Sequence, residues 1–349
     1  MSQKPNLTRN TIKLCIGIFC ILPLLVSAAN ESKGTFSGAK PTQHPGWFKD
    51  SFLDFRNDIK TAARQGKRVL LYVYQDGCPY CNKFVDYNFA QKDILDKTRK
   101  HFDVVAVNLW GDLEVIDTQG TVTTEKEFTK SIGVKYTPTL VFFDEQGGVA
   151  LRINGYYPPY NFRIALDYVA AKKEKTQSFR DYYTARTPTP SKGKLNKEDF
   201  FLPPPYNLAD TAKRPLAVFF EQRQCDNCDL LHKETLNYPG TRDLIAKVDN
   251  IQLDMWDDKT EIITPDNKKT TPRKWAKMLN IAFAPSIVFF DMNGKEVART
   301  DAFLKGFHTQ TLYDYVINRG YESQPEFQRY LQRRSEALQA KGINVDIWD

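Results

Sequence analysis

Cysteine is scarce in this chain, and the pattern of the few cysteines excludes one class of protein. The 349 residues contain six cysteines, two of which lie in the apolar stretch near the N-terminus. The other four form two Cys-x-x-Cys pairs, Cys78/Cys81 and Cys225/Cys228. An exported domain held together by disulfides has cysteines spread through its sequence. That class is therefore excluded, and we expect the four cysteines to serve chemistry.

A large excess of charge of one sign is also missing. The formal net charge is +7, from 49 basic and 42 acidic residues. Three basic residues, Lys4, Arg9 and Lys13, fall in an N-terminal segment that we expect to be removed, and residues 1–28 contain no Asp or Glu. The other 46 basic and 42 acidic residues leave a net charge of +4. So weak and dispersed a charge predicts no nucleic-acid partner.

The N-terminus has the three parts of a secretory signal peptide. Its basic start precedes an apolar run over 14–26, and the small residues 27–29 follow. We therefore predict a signal peptide over 1–29, cleaved after Ala28 or one residue later, and export to the periplasm. The apolar run is short for a membrane span, and Pro23 interrupts it. The alternative to a cleaved signal peptide is an uncleaved membrane anchor.

The first Cys-x-x-Cys pair lies between a predicted strand and a predicted helix. Residues 69–74 are apolar and rich in β-forming side chains, and the residues after Phe84 suit an amphipathic helix. Unpaired backbone N–H groups at a helix start stabilise a thiolate on Cys78 and lower its pKa from about 8.5 to roughly 3.5–7.5. Cys81, three residues on, can then resolve a mixed disulfide. The alternatives are a structural disulfide or half of a zinc site, but zinc needs four ligands and no other Cys or His pair lies nearby in the sequence.

The spacing of apolar residues predicts alternating helices and strands in the first half. Phe48, Phe52, Phe55 and Ile59 recur at helical spacing, which predicts a helix from about residue 48 to Arg64. The further elements that we predict are a strand over 69–74, a helix over 91–101, a strand over 104–110, a hairpin insertion over 115–122, a helix over 124–132, strands over 139–144 and 149–153, and a helix over 160–171.

The same order of features repeats after a fixed distance. Cys225 follows Cys78, and Pro285 follows Pro138, by 147 residues each. In each half, 60 residues separate the first cysteine from this proline. The repeat predicts two domains of one fold in tandem. The boundaries that we predict are a flexible lead-in over 30–45, a first domain over 46–175, a linker over 176–205, a second domain over 206–322, and a C-terminal helix and tail over 323–349.

The segments outside the repeats carry two further predictions. The linker is rich in proline and lysine, which predicts an extended chain or one that lies over the domain surfaces. Residues from about 325 to 340 predict a basic surface helix. Ile347 and Trp348 form an apolar pair near the last residue, and we expect this pair to dock in a groove on this chain or on a partner.

Three elements of the first half resemble the thioredoxin superfamily. They are the segment from Gly77 to Cys81 between strand and helix, the segment 137–139 before an apolar strand, and Gly147 in the following turn. The resemblance covers roughly 45–175 and, through the repeat, 205–322. It implies an α/β fold class: two tandem thioredoxin-like folds, each a mixed central sheet flanked by helices.

The resemblance also implies a binding site for a client peptide. In that family the proline is cis and faces the cysteines, and its backbone neighbour pairs with the client as an added strand. The residues to which the resemblance assigns substrate binding are Pro79, Tyr80, Thr137, Pro138, Ala284 and Pro285. The Cys-Pro-Tyr-Cys tetrapeptide is similar to that of glutaredoxins and some periplasmic disulfide isomerases. The hairpin insertion and the export signal resemble exported thioredoxin-related (SoxW-like) proteins of bacterial sulfur-oxidation systems.

The chain departs from that family at the position of a buried acid. Thioredoxins place this acid six positions before the first cysteine, where the two halves have Tyr72 and Phe219. Water, Asp76 or a lysine would have to move the proton instead. The missing charge also removes one influence that raises the pKa of a cysteine.

The second pair is open to three interpretations. Asp226 lies beside Cys225, and its carboxylate opposes thiolate formation. Three roles therefore remain open for the pair Cys225/Cys228: a catalytic pair, a structural disulfide, or an electron-relay partner of the first pair. His232 lies seven residues after Cys225 on the same predicted helix, and we expect a solvated histidine there.

These observations favour an exported thiol–disulfide oxidoreductase, acting as a reductase or isomerase of protein disulfides, with Cys78 as the nucleophile. It would need no cofactor. Its expected partners are proteins with disulfides or thiols and a membrane or periplasmic electron-donor protein. The alternative is a thioredoxin-fold peptide-binding module whose cysteine pairs only brace their loops. Metal or haem handling by both pairs together is a third hypothesis, but nothing in the sequence arranges it.

Overall fold

A computed structural model describes residues 1, 33–187, 192–210, 214–301 and 303–347. The predicted signal peptide, apart from Met1, lies outside the described residues, as do residues 188–191 of the linker and Trp348. Within the described part of the chain, no helix has the length and apolar character needed to cross a bilayer.

The first half folds into the predicted alternation of strands and helices. Its elements are β1 (Phe36–Ser37), α1 (Phe55–Arg64), β2 (Arg68–Tyr74), α2 (Pro79–Lys83) continued by a π-helical turn (Phe84–Asn88), α3 (Lys92–His101), β3 (Phe102–Asn108), β4 (Glu114–Ile116), β5 (Val122–Thr124), α4 (Glu125–Ser131), β6 (Thr139–Phe143), β7 (Val149–Asn154), α5 (Pro159–Ala170), a 3₁₀ turn (Lys173–Lys175) and α6 (Phe179–Thr184). The strands β4 and β5 pair antiparallel and confirm the hairpin insertion.

The second half repeats this order. Its elements are β8 (Tyr206–Asn207), a 3₁₀ turn (Leu208–Asp210), β9 (Leu216–Glu221), α7 (Asp226–Leu230) continued by a π-helical turn (Leu231–Thr235), α8 (Thr241–Ile245), β10 (Asp249–Asp254), β11 (Ile262–Ile263), β12 (Lys269–Thr270), α9 (Pro272–Met278), β13 (Ser286–Phe290), β14 (Glu296–Thr300) and α10 (Gly306–Ile317). The C-terminal segment adds α11 (Gly320–Ser323), α12 (Phe327–Ala340) and β15 (Val345–Asp346).

Each half contains a mixed four-stranded sheet of the same topology. The strand orders are β3-β2-β6-β7 and β10-β9-β13-β14. The first pair in each sheet is parallel, and the other neighbours are antiparallel. The central strands β2 and β9 are nearly or wholly buried because helices cover both faces, and this explains their continuous apolar sequence. The predicted fold class is confirmed.

The first helix begins later than its apolar spacing predicts. It starts at Phe55, where the Asp54 carboxylate caps it by accepting the Asn57 N–H at 2.9 Å. Phe52, which the prediction placed on the buried face, is fully exposed. Phe48 packs instead against Phe89, with ring centroids 5.6 Å apart. The prediction of a helix from residue 48 was therefore wrong in its first seven residues.

Two segments that we predicted as irregular have defined structure. In the lead-in, Phe36–Ser37 pairs parallel with Val345–Asp346, and the Lys40 carbonyl accepts the Gly77 N–H at 3.1 Å. In the linker, α6 is a short helix rather than an extended chain. The aromatic side chains of α6 pack on α5 and on the second half, which agrees with the alternative prediction that the linker lies over the domain surfaces.

The two halves pack against each other through the helix that follows each domain. Arg180 of α6 lies over the ring of Trp256, with the guanidinium carbon 6.0 Å from the ring centroid. Arg329 of α12 lies over the ring of Trp110 at 4.6 Å. Each trailing helix thus crosses from its own domain to the tryptophan at the end of a strand in the other domain.

The C-terminal helix is present where we predicted it, but one of its faces is buried. Phe327, Leu331 and Ser335 point into the protein, and Phe327 packs on Tyr136 of the first half at 5.2 Å. Ile347 is 2% exposed, which confirms the predicted docking on this chain for that residue.

We expect Arg180→Ala to lower the free energy of unfolding by about 1–3 kcal/mol. The buried Arg180 Nε donates to the Ile281 carbonyl at 2.6 Å, and its loss leaves that carbonyl unpaired at the interface between the halves. Denaturant titration followed by tryptophan fluorescence measures the change. Lys277→Ala is the control, because its ion pair with Asp181 is largely exposed and contributes at most about 1 kcal/mol. Equal effects of both substitutions would contradict the role given to Arg180.

Candidate redox sites

Cys78 forms the N-cap of α2 at the end of the buried strand β2. Its Sγ accepts a hydrogen bond from the Cys81 backbone N–H at 3.1 Å. Gly77 precedes it with a φ of +76°, a conformation that side chains rarely adopt, and this glycine allows the sharp turn from strand to helix. The two cysteines are joined by a disulfide. The backbone therefore places the helix N-terminus directly at the first sulfur, as the sequence predicted.

The second pair repeats this geometry. Cys225 is the N-cap of α7, and its Sγ accepts the Cys228 N–H at 3.1 Å. The pair forms a second disulfide. The repeat extends to the π-helical turns that continue α2 and α7, so the two motifs share their local backbone as well as their spacing.

The two prolines that the resemblance singles out both follow cis peptide bonds. The peptide bonds Thr137–Pro138 and Ala284–Pro285 are cis. Thr137 and Cys78 line one cavity of about 390 Å³. This cavity brings the first pair together with the residue whose backbone was expected to bind a client strand.

The first site is covered by other parts of the same chain. Cys78 is 3% exposed, and Pro79, Tyr80 and Thr137 are buried. The Tyr80 hydroxyl accepts the backbone N–H of Lys305, from the second half, at 2.8 Å. Burial raises the pKa of Tyr80 to a value at which it stays protonated at neutral pH. Tyr80 is therefore fixed in the interface between the halves.

The second motif is more open than the first. Asp226 is exposed and Asn227 half-buried, whereas the residues in the same positions of the first motif are buried. Ala284 is half-buried and Pro285 buried. The two sites thus share a backbone, and both first cysteines are buried, at 3% and 7% exposure, but the residues between the cysteines are more exposed in the second motif, which the sequence did not predict.

The position of the expected acid is filled by uncharged side chains in both halves. Tyr72 is buried, and its hydroxyl donates to the Cys81 carbonyl at 3.0 Å. Burial raises the pKa of Tyr72 further from neutrality, so it cannot supply a charge there. Phe219 packs against Phe201 with ring centroids 5.0 Å apart.

A buried acid does lie on the same strand, two residues further on. Glu221 is completely buried at the end of β9, and its carboxylate contacts the His232 Nε2 at 3.0 Å. The other ring nitrogen, Nδ1, lies 2.8 Å from a Glu198 oxygen. His232 is 6% exposed, so the prediction of a solvated histidine was wrong. Burial lowers the pKa of His232, but hydrogen bonds and charge from the two glutamates outweigh it and raise that pKa overall.

Sequence reasoning missed two further residues at these sites. Glu221 was recognisable as a lone acid at the end of an apolar strand, on the same face as Phe219. His308 of α10 lines the cavity at Cys78, with its ring edge-on to Tyr80 at 5.1 Å. Burial lowers the pKa of His308 to about 4, so its ring is neutral at pH 7. No sequence pattern connects His308 to a cysteine 230 residues earlier.

Comparisons with known proteins agree with this repeated architecture. A family model described as a thioredoxin-like domain matches residues 55–170 and 206–319. Two similar curated proteins are thiol:disulfide interchange proteins DsbD. That of Pseudoalteromonas atlantica is 29% identical over 94 residues, which cover 27% of this chain and 14% of that protein. That of Actinobacillus pleuropneumoniae is 31% identical over 88 residues, 25% of this chain and 13% of that protein. The matched segment thus spans about one seventh of the length of these relatives.

Solved structures with this fold were also found. A thioredoxin-fold protein from Helicobacter pylori is 24% identical and has a TM-score of 0.33, covering 39% of this chain and 89% of that chain. The periplasmic thioredoxin SoxS from Paracoccus pantotrophus is 19% identical and has a TM-score of 0.23, covering 31% of this chain and 99% of that chain.

Proposed function

The chain belongs to the thioredoxin-like domain family, with two such domains in tandem, and from this we propose that it is an exported thiol–disulfide oxidoreductase that reduces or isomerises disulfides. One observation carries the proposal. In both halves the first cysteine caps a helix, and its sulfur accepts the N–H of the second cysteine at 3.1 Å. That N–H would stabilise a thiolate at the same place after reduction.

The reaction proposed for a reduced pair has two exchange steps. The Cys78 thiolate attacks a partner disulfide, so that a mixed disulfide forms and the first partner thiol leaves. The Cys81 sulfur then attacks Cys78, forms the disulfide seen here and releases the second partner thiol. Two electrons and two protons pass from the pair to the partner. A dithiol donor must return them, and we expect that donor to be a membrane or periplasmic protein.

Thiol- and disulfide-bearing proteins are the partner class that we propose. The DsbD relatives are named thiol:disulfide interchange proteins, which favours partners of this kind for the segments that resemble them. Export to the periplasm rests on the predicted signal peptide. The roles of Cys225/Cys228 in turnover, and of Thr137, Pro138, Ala284 and Pro285 in binding, are part of the same proposal.

A second candidate function has one observation in its favour. Because Cys78 is only 3% exposed, a peptide-binding module with structural disulfides would also fit this site. Thiol reactivity separates the two functions, since a disulfide that only braces a loop needs no stabilised thiolate.

We expect the thiol pKa of Cys78 in the reduced protein to lie below the ordinary value of about 8.5. Thiolate absorbance at 240 nm against pH measures it in a Cys15→Ser/Cys20→Ser/Cys225→Ser/Cys228→Ser variant, which keeps only the first pair. In the converse variant, Asp226→Asn should lower the pKa of Cys225, because it removes the neighbouring negative charge. A Cys78 thiol that stays protonated well above pH 8.5 would support the binding module instead.

A further inference from the structure

The cavity beside Cys78 is bounded by segments from distant parts of the chain. Phe36 and Ala39 come from the lead-in, His308 from the second domain, and Leu331 and Ile347 from the C-terminal segment. Cys78 reaches this cavity but is only 3% exposed overall. A partner must therefore enter the cavity to reach the sulfur, unless the surrounding segments move.

The cover formed by α12 is tied to the first domain at several points. Gln75 Nε2 donates to the Gln328 side-chain oxygen at 3.3 Å, and Trp110 Nε1 donates to Gln75 Oε1 at 3.0 Å. Arg329 lies over the Trp110 ring. Leu331, one turn after Gln328, packs in the core of the second half. These contacts with both halves hold α12 over the redox site.

The size of the cavity suits a small molecule and not a folded protein. A volume of about 390 Å³ falls within the range of roughly 300–1,000 Å³ for ligand pockets. A protein partner needs about 800 Å² of accessible surface on each side, and strand addition needs a free backbone edge. The edge at Thr137 is buried, and Phe327 and Gln328 line a small second cavity beside it.

The charge of the lining favours a cation. Among the described residues that line the cavity, Asp76 and Glu336, both exposed, are the acidic ones, and lysine and arginine are absent from this lining. Amides of Gln75, Gln332 and Gln339 supply further polar groups. The negative charge of these carboxylates attracts an ammonium group and repels an anion.

Resting on the oxidoreductase function above, we propose that the Cys78/Cys81 pair reacts with low-molecular-weight disulfides that carry amino groups, and that the α12 cover excludes folded protein disulfides from it, so that the protein partners proposed above react at Cys225/Cys228. The reduced pair and R–S–S–R yield the Cys78–Cys81 disulfide and two R–SH. Two S–H bonds and one S–S bond break, and one S–S bond and two S–H bonds form. The pair is oxidised by two electrons and the small disulfide is reduced by two.

The test compares full-length variants that carry Cys15→Ser/Cys20→Ser and keep one Cys-x-x-Cys pair each. Cys225→Ser/Cys228→Ser keeps the first pair, and Cys78→Ser/Cys81→Ser keeps the second. Each is reduced, freed of reductant and mixed with cystamine or with insulin, and every rate is divided by that of free dithiothreitol with the same disulfide. For the first pair, we expect the normalised rate with cystamine to exceed the normalised rate with insulin by at least about tenfold, because insulin cannot enter the cavity. The second pair should discriminate less.

The outcomes separate this inference from the function on which it rests. Insulin reacting at the first pair as fast as cystamine overturns the inference but supports the oxidoreductase. Failure of the first pair with every disulfide overturns the inference as well. Failure of both pairs with every disulfide overturns the oxidoreductase function itself.

Two sets of side-chain variants test the lining and the cover. Glu336→Gln should reduce the preference for cystamine over the anionic dithiodiglycolate by about fivefold, since one carboxylate is lost. Glu322→Gln, on a different helix, should leave that preference unchanged. Gln328→Ala/Arg329→Ala should raise the insulin rate of the first pair several-fold, whereas Arg333→Ala, exposed on the same helix, should not. An unchanged preference in Glu336→Gln overturns the amino-group assignment, and an unchanged insulin rate in the cover variant overturns the exclusion by α12.

Discussion

A reduced Cys81→Ser variant is expected to accumulate as a mixed disulfide on Cys78 after it reacts with a disulfide. The Cys81 sulfur lies one helical turn from the first sulfur, and their direct bond in the oxidised protein shows that it can reach it. A resolving thiol held in this position can reach an effective concentration of about 10⁵ M. Removing it should therefore slow release of the adduct by at least about a thousandfold.

The adduct is measured by intact mass after acid quenching, in a chain in which Cys15, Cys20, Cys225 and Cys228 are also replaced by serine. Cystamine serves as the disulfide, so the expected mass increase is that of one cysteamine group. The variant that keeps Cys81 but has Cys78→Ser is the matched control and should stay unmodified under the same conditions, because Cys81 is fully buried. An adduct found on Cys81, or on neither sulfur, would contradict the assignment of Cys78 as the nucleophile.

The largest expected loss of stability follows from His232→Ala. The substitution leaves the Glu221 carboxylate completely buried without its cationic partner, and among the described residues only the Gln252 amide still donates to it, at 3.0 Å. Breaking a buried pair by removing one member lowers the free energy of unfolding by about 3–5 kcal/mol. Denaturant titration at pH 6 measures the change.

A second substitution shows whether the buried charge is the cause. Glu221→Gln in the His232→Ala background removes the unpaired carboxylate and should recover at least half of the lost stability. His101→Gln, at a partly exposed histidine on α3, should change stability by no more than about 0.5 kcal/mol. If the double variant is no more stable than His232→Ala, the loss comes from packing and not from charge.

The same pair makes stability depend on pH in a defined direction. The pKa of His232 is raised in the folded protein from an ordinary value of 6.5, despite burial, by Glu221 and Glu198. A group with a raised folded pKa contributes its full stabilisation below its unfolded pKa and loses it as pH rises through the folded one. The wild-type protein should therefore lose stability as pH rises above about 6.5, and His232→Ala should lose less over the same range.

Local sequence patterns were sufficient to predict the repeated fold and the place of each Cys-x-x-Cys pair between a strand and a helix. The alternation of apolar strands with helices predicted both sheets, because a strand covered on two faces must be apolar throughout, as β2 and β9 are. The Cys-x-x-Cys spacing predicted the helix N-caps, since capping depends only on residues within one turn. The start of α1 was misplaced because Phe48 has helical spacing but packs on Phe89, 41 residues away.

The tertiary structure alone decided what surrounds each cysteine. The contacts that cover Cys78 join residues 225 to 253 positions apart, such as Tyr80 with Lys305 and Gln75 with Gln328. The residues next to His232 in the sequence are those of an exposed helix. In the fold, however, Glu198 from the linker and Glu221 from β9 contact both ring nitrogens of His232. A short stretch of sequence predicts the local backbone conformation and which face of a helix or strand is buried. Access and electrostatics depend on which distant segments pack there, and that follows only from the folding of the whole chain.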